Sequence, residues 1–160
     1  MGRYKNSGNG IGTKGNPQQS FEQNNYSNKI NELNEINKIA ASRFNKKDLD
    51  YELSKSKIEN YILDIDHPTG WSKAKFFIET LGYSKINSKQ FFENISFAID
   101  NKVPYKVTKT KYGIVCEFHE KIKGVNGKYA YAKIIASIQK DNDKSKYRII
   151  TVYPDKKGNK

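Results

Sequence analysis

The spacing of apolar residues changes at Pro104, and this change predicts the order of the structural elements. Before Pro104, apolar residues recur every three or four positions, as they do along one face of a helix. After it, apolar and polar residues alternate, which is typical of strands with one buried face. The pattern therefore predicts an α+β protein, in which N-terminal helices pack on a four-stranded antiparallel β-meander.

Apolar stripes, caps and stop signals predict the positions of the helices. Ser27 or Asn28 is expected to cap the first helix, and Gly82 to end the third. The predicted helices are Ile30 to Ala40, Ser54 to Leu63, Trp71 to Leu81 and Ser88 to Ile99.

The composition of successive segments predicts the domain organisation. Residues 1–26 contain many Gly and Asn residues without apolar periodicity, and are expected to be a disordered tail or linker. Residues 27–53 are expected to form an appended helix, 54–155 the α+β domain and 156–160 a basic tail.

Alternation within the strands predicts which side chains share a face of the sheet. The first long hairpin is expected to turn at Asn126-Gly127. Ile150 and Val152 are expected to face the core with Arg148 at its rim, while Tyr147 and Ile149 point outward. The residues predicted on the free face are Glu117, His119, Tyr129, Tyr131, Lys133, Thr151 and Tyr153.

Tyrosine, lysine and histidine on one open sheet face favour an RNA-binding surface. Aromatic rings stack on bases, lysines meet phosphates, and a histidine exchanges protons near neutral pH. An ordinary solvated β-face in a tyrosine-rich protein has the same pattern, and the sequence favours neither interpretation.

The segment HPTGWSKAKFF at the start of the third helix allows two interpretations. In the first, Asp66 or Thr69 caps the helix and Trp71 packs in the core. In the second, the helix N-terminus and Lys73 bind a phosphate, and His67 transfers protons. The first interpretation is the more common arrangement in proteins.

Charge and cysteine content narrow the classes of function. The chain has 29 Lys and Arg residues against 17 Asp and Glu residues, a net charge of +12, which favours a polyanionic partner. Its single cysteine, Cys116, excludes an internal disulfide and a cysteine-rich zinc site. It is expected to be a small core residue rather than a nucleophile. The cluster Asp64, Asp66 and His67 is a poor metal site, and no cofactor is expected.

Three motifs carry a resemblance to a known group of proteins. HPTGWSKAKFFIETLGY, YGIVCEFHEKIKGVNGK and RIITVYP, spread between Leu63 and Asp155, resemble an uncharacterised bacterial domain family. That family is found at the C-termini of large polymorphic toxins of the contact-dependent inhibition type and of some phage-derived proteins. The order of helices and strands also resembles the fold of barnase, EndoU, colicin and RelE ribonucleases.

The resemblance implies a metal-independent endoribonuclease toxin, with tRNA among its candidate substrates. It implies secretion within a larger toxin, action in the cytoplasm of a target bacterium and neutralisation by an acidic immunity protein. The domain alone is expected to be a monomer without stable membrane insertion. The alternative is a non-catalytic basic module that binds nucleic acid or serves as an adaptor in a phage or secretion system.

Such a ribonuclease needs an acid, a base and cations for the phosphate. The candidate substrate-binding residues are Lys133, Arg148, Tyr129 and Tyr131. The candidate catalytic residues are His119, His67, Lys73, Thr151 and Tyr153.

Overall fold

The computed structural model of the protein describes residues 17–141 and 144–159. The chain divides into two compact units, Met1–Ile36 and Asn37–Lys160. The disorder predicted for residues 1–16 concerns a part of the chain outside the described residues.

The first helix, α1, spans Pro17–Ala40 and begins well before the predicted stripe. Residues 17–26 are therefore helical, and the prediction of a disordered tail is wrong for them. Proline is well suited to a first helical position, because its missing N–H would have no partner there. The sequence of residues 17–28 has two large apolar residues, Phe21 and Tyr26, which are too few to form an apolar stripe, so apolar periodicity gives no signal for this half of α1.

Residues 41–53 belong to the second unit and not to an appended helix. Phe44 and Leu49 are buried in the core. A 3-10 turn, Lys46–Asp48, leads to α2, Tyr51–Lys57, which continues as a π-helical turn, Ile58–Ile62. The folded domain therefore begins before the predicted boundary at residue 54.

Helices α3, Trp71–Leu81, and α4, Ser88–Ile99, confirm the two strongest helix predictions. Gly82 ends α3 in the left-handed conformation, with φ of 78°, where glycine carries no steric penalty. Trp71 is 50% exposed, so its predicted place in the core is wrong. It lies outside the buried stripe of α3, which includes Ala74, Phe77 and Leu81.

Four strands follow and form an antiparallel sheet in which each strand pairs with the next one along the chain. This meander behind N-terminal helices confirms the predicted α+β class. The strands are β1, Lys106–Thr110, β2, Gly113–Lys123, β3, Tyr129–Asp141, and β4, Lys144–Pro154.

The core of the second unit lies between α2, α3 and α4 and one face of the sheet. This core includes Phe77, Phe91 and Ile95 of the helices and the small residues Ala132 and Ala136 of β3. Small strand residues allow helices to approach closely, as the alternation in β3 predicted.

Cys116 is a fully buried member of the core. Burial raises the pKa of the Cys116 thiol to about 11, so the thiol is protonated at neutral pH. A protonated, inaccessible thiol is a poor nucleophile, which agrees with its predicted role as a core residue.

A β-bulge in β4 changes which residues face the core. Ile135 pairs with Thr151, but Ala136 pairs with Ile149, so Ile150 is an extra residue in β4. The shift turns Tyr147 and Ile149 into the core, against the prediction that they face outward. It also moves Arg148 from the rim of the core to the opposite face.

The outer edge of β4 is covered by the residues that lead into α2. Leu49 forms an isolated bridge with Tyr147, and the Asp50 N–H donates to the Tyr147 carbonyl at 2.8 Å. The buried Ser54 hydroxyl accepts the Ile149 N–H at 3.0 Å, next to the bulge. An edge strand therefore finds partners for its outward polar groups within the same domain.

Candidate functional site

The sheet face that points away from the core, here called the open face, carries a basic and aromatic surface. Cross-strand pairs place His119 opposite Lys133, which lies opposite Tyr153. In the neighbouring row, Ile135 lies between Glu117 and Thr151. The open face includes Glu117, His119, Lys121, Tyr129, Tyr131, Lys133, Ser137, Arg148, Thr151 and Tyr153.

His119 is held between a carboxylate and an aromatic ring. Its Nε2 contacts the Oε2 atom of Glu117. The Tyr105 ring stacks on the imidazole with centroids 3.9 Å apart and an angle of 18° between the planes. The side chains of His119 and Glu117 remain 23% and 24% exposed. A partly exposed imidazole that is oriented by a carboxylate has the arrangement of a general acid or base.

Tyr105 was not predicted as a site residue. Its N–H donates to the Glu117 carbonyl at 2.8 Å, which fixes it beside β2, although it precedes β1. The sequence held no signal for this contact, because counting back from the turn at residues 111–112 places Tyr105 opposite Phe118, whose side chain faces the core. Tyr105 is 68% exposed, so its ring is accessible from solvent.

Tyr153 joins the open face to helix α3. The Lys133 Nζ lies 5.9 Å from the centre of its ring and the Lys73 Nζ 5.1 Å. Both distances are within the range of cation–π attraction. The predicted residues Lys73, Lys133 and Tyr153 therefore come together at the edge of the sheet formed by β4.

Three polar atoms of the open face have no hydrogen-bond partner among the described residues. They are the Ser137 Oγ, the Arg148 Nε and the Thr151 Oγ1. Ser137 pairs with Arg148 across the strands, and the bulge separates Arg148 from Thr151. A buried polar group left unpaired costs about 1–3 kcal/mol, so this end of the face gains from a polar partner.

The opposite end of the open face is a ladder of lysine and tyrosine. The Lys121 Nζ lies 5.5 Å from the Tyr131 ring centre and 5.9 Å from that of Tyr129. The two tyrosines are 39% and 58% exposed. Exposed rings beside an ammonium group can stack on bases while the lysine meets a phosphate.

His67 has a different environment, at the turn before α3. Its Nδ1 accepts the N–H groups of Gly70 at 2.9 Å and Thr69 at 3.1 Å. Its ring meets the Tyr61 ring edge-on, with centroids 4.7 Å apart. The imidazole therefore closes the turn that leads into α3, in place of the predicted caps Asp66 and Thr69.

The acidic residues near His67 do not gather into a ligand set. Asp64 forms an ion pair with Lys85 at 3.4 Å and accepts the Asp66 N–H at 3.1 Å. Within residues 17–141 and 144–159, no group of three His, Cys, Asp or Glu side chains is arranged to hold a metal ion.

The structure describes residues 156–159 of the predicted basic tail. Residues 156–159 form a turn, and Asn159 pairs with the backbone of Tyr131 through both its amide atoms, at 2.7 and 2.8 Å. This turn places Lys156 beside Tyr153 and Lys73, where the three residues line one cleft.

None of the helices in the described part of the chain has the length and apolar character needed to cross a bilayer.

Comparison with known proteins places the chain in a family. No curated protein and no solved structure matches the chain. The family described as "Domain of unknown function (DUF6883)" matches residues 48–156, more than half of the chain. The chain therefore belongs to the DUF6883 family.

Proposed function

We propose that the open face is the active centre of a metal-independent endoribonuclease. The observation that carries the proposal is the pair of His119 and Glu117 at the middle of a basic, aromatic sheet face. Thr151 lies in the same row as Glu117 and Arg148 in the next row, both with unpaired polar atoms, and Tyr105 stacks on the imidazole.

The proposed reaction is attack of a ribose 2′-OH on the adjacent phosphate. The pair of His119 and Glu117 accepts the 2′-OH proton, and the 2′ oxygen forms a bond to phosphorus. The bond to the 5′ oxygen breaks, and that oxygen takes up a proton from the protonated pair or from water. The products are a 2′,3′-cyclic phosphate and a 5′-OH end, and the histidine is regenerated.

Cations and hydroxyl groups around His119 suit the charge of the transition state. Lys133 lies directly opposite His119, and Arg148 lies on the same face two strands away. Donors placed before the reaction stabilise developing negative charge without further reorganisation. Thr151 and Tyr153 orient the phosphate, while Tyr129 and Tyr131 stack on flanking bases.

The test is incubation of the full chain with a defined RNA in EDTA, with end-group analysis of the products. Cleavage with cyclic phosphate ends is expected, because the 2′-OH supplies the nucleophile. The same RNA with a single 2′-deoxy residue at the cleaved position is the matched control, and it should remain intact at that position.

Other outcomes contradict the proposal in different ways. Retention of RNA without cleavage would favour the non-catalytic nucleic-acid-binding module. Cleavage of the 2′-deoxy control, or cleavage that requires a divalent ion, would exclude attack by the 2′-OH as proposed here.

We further propose that an acidic immunity protein binds across the open face. The net charge of +12 favours fast, salt-sensitive association with an acidic partner. Lys121→Glu should slow this association more than Lys47→Glu, because Lys47 is exposed in the 3-10 turn and not on the open face. Equal association rates for the two variants would place the partner elsewhere.

A further inference from the structure

A cleft lies between the first turns of α3 and the turn that follows β4. Its volume is about 600 Å³. The walls include the rings of Phe76, Tyr153 and Pro154, and the side chains of Lys73 and Lys156 reach it from opposite elements. Small-molecule sites generally have this size and combine apolar walls with a few polar groups.

We propose that this cleft binds one nucleotide of the RNA strand. Apolar and aromatic walls favour a flat base, and two ammonium groups favour a phosphate. The assignment to the RNA strand rests on the proposed function, whereas the nucleotide chemistry rests on the lining of the cleft.

Tyr153 connects the cleft to His119. One side of its ring faces Lys73, which lines the cleft, and Lys133 lies on the row that leads to His119. Strands in a sheet lie about 4.8 Å apart, so the backbone of Tyr153 is about 10 Å from that of His119. The cleft is therefore placed to hold a nucleotide next to the one that is cut.

The C-terminal turn builds one wall of the cleft. The side-chain amide of Asn159 holds this turn against β3 by two hydrogen bonds to the backbone of Tyr131. Gly158 packs so closely on Tyr131 that an added Cβ would lie 2.5 Å from the ring carbon Cγ. The turn, and with it Lys156, therefore has a defined position beside the end of the sheet.

The experiment titrates the isotope-labelled full chain with 5′-AMP and, separately, with adenosine, and follows backbone amide signals by NMR. AMP is expected to shift the amides of residues 72–76 and 156–159. Adenosine should bind at least about tenfold more weakly, because it lacks the phosphate.

Lys156→Ala tests the predicted phosphate contact. It should weaken AMP binding by about tenfold, the effect of losing one charge-assisted contact. Lys128→Ala removes an exposed lysine from the turn between β2 and β3 and is the matched control, with AMP affinity unchanged. Equal affinities for Lys156→Ala and the wild type, or shifts confined to residues 117–121, would overturn the cleft proposal.

The two proposals fail independently. Binding of AMP in the cleft by a protein that does not cut RNA would contradict the ribonuclease and retain the nucleotide site. Cleavage of RNA by a protein whose cleft amides do not respond to AMP would contradict the nucleotide site and retain the ribonuclease.

Discussion

The two histidines of the chain occupy opposite kinds of environment. At the turn before α3, the Nδ1 of His67 accepts two backbone N–H groups, and the imidazole maintains the shape of the chain. On the open face, His119 contacts the side chain of Glu117 and stacks on the exposed Tyr105. The difference teaches that the partner of a histidine indicates its role better than its neighbours in the sequence do.

The difference follows from what each contact leaves available. A nitrogen that accepts two backbone hydrogen bonds has no free lone pair for a substrate proton. When the Nε2–H of His119 donates to the Glu117 carboxylate, the other ring nitrogen, Nδ1, keeps a lone pair that can accept a proton from an approaching hydroxyl group. We therefore infer that His119 transfers protons and that His67 is a positioning residue for the turn and for Lys73.

The largest expected effect comes from exchanging each histidine for asparagine. His119→Asn should slow RNA cleavage by about a hundredfold to ten-thousandfold, the usual cost of removing a general acid or base. His67→Asn should slow it by less than about tenfold, because an asparagine oxygen can accept the same backbone N–H groups. Single-turnover cleavage of one defined RNA measures both.

Circular dichroism melts of both variants show whether each remains folded. If folded His67→Asn is inactive while His119→Asn cuts at the wild-type rate, the roles assigned to the two histidines are wrong. The active centre would then lie at the turn before α3. Normal cleavage by both would exclude a histidine-dependent reaction and favour a mechanism based on Lys, Arg and Tyr.

The next largest expected effect is on the free energy of unfolding and concerns the bulge that places Arg148 on the open face. Ser54→Ala removes the acceptor of the buried Ile149 N–H. The free energy of unfolding should fall by about 1–3 kcal/mol, because a buried donor is left without a partner. Urea denaturation measures this loss.

Ser56→Ala is the matched control for Ser54→Ala. Ser56 is exposed on the same helix and accepts one long hydrogen bond from Asn60, at 3.3 Å. Its removal should change the free energy of unfolding by less than about 0.5 kcal/mol. Equal effects of the two variants would show that Ser54 does not secure β4 beside the bulge.

The bulge also shows where prediction from the sequence failed. Alternation after Pro104 was sufficient to predict four strands and the row that contains His119 and Lys133, since each position follows from its neighbours. One extra residue, Ile150, reverses the face of every residue before it in β4. No single sequence pattern marks that insertion, so Arg148 was assigned to the wrong face.

Two further failures have different physical causes. The start of α1 at Pro17 was missed because a polar helix has no apolar stripe to detect. The role of His67 was left open because the residues that usually cap helices are Ser, Thr, Asp and Asn, and two of them stand nearby. The position of a side chain in a turn depends on backbone angles that the residue types alone do not determine.

A smaller effect separates the structural role of His67 from any chemical role. His67→Ala should lower the free energy of unfolding by about 1–2 kcal/mol, because two backbone donors lose their acceptor. His67→Asn should recover most of that loss. Thermal denaturation compares the three proteins, and failure of asparagine to rescue the alanine variant would show that contact with Tyr61 stabilises the turn instead.

The smallest expected effect concerns Asp50, a carboxylate that binds the backbone as His67 does. Glu117, in contrast, binds a side chain. The Asp50 Oδ1 accepts the Leu53 N–H at 2.9 Å and caps α2, and its Oδ2 lies 3.4 Å from the Lys146 Nζ. Asp50→Ala should lower the free energy of unfolding by about 1 kcal/mol at neutral pH, the usual cost of losing a helix cap. Glu93→Ala, an exposed change on α4, is the control and should have little effect.

The contribution of Asp50 depends on pH in a direction set by its environment. The hydrogen bond from the Leu53 N–H, helped by Lys146, lowers the pKa of Asp50 below its ordinary value of 3.8. The folded protein therefore holds this carboxylate ionised at pH values where the unfolded chain has begun to protonate it. The stabilisation is complete above the unfolded pKa and is lost as the pH falls through the lower, folded pKa.

Urea denaturation at a series of pH values tests this dependence. The free energies of unfolding of the wild type and Asp50→Ala should differ by a constant amount above about pH 5 and converge below about pH 4. A difference that stays constant into strong acid would mean that the uncharged side chain caps α2 equally well.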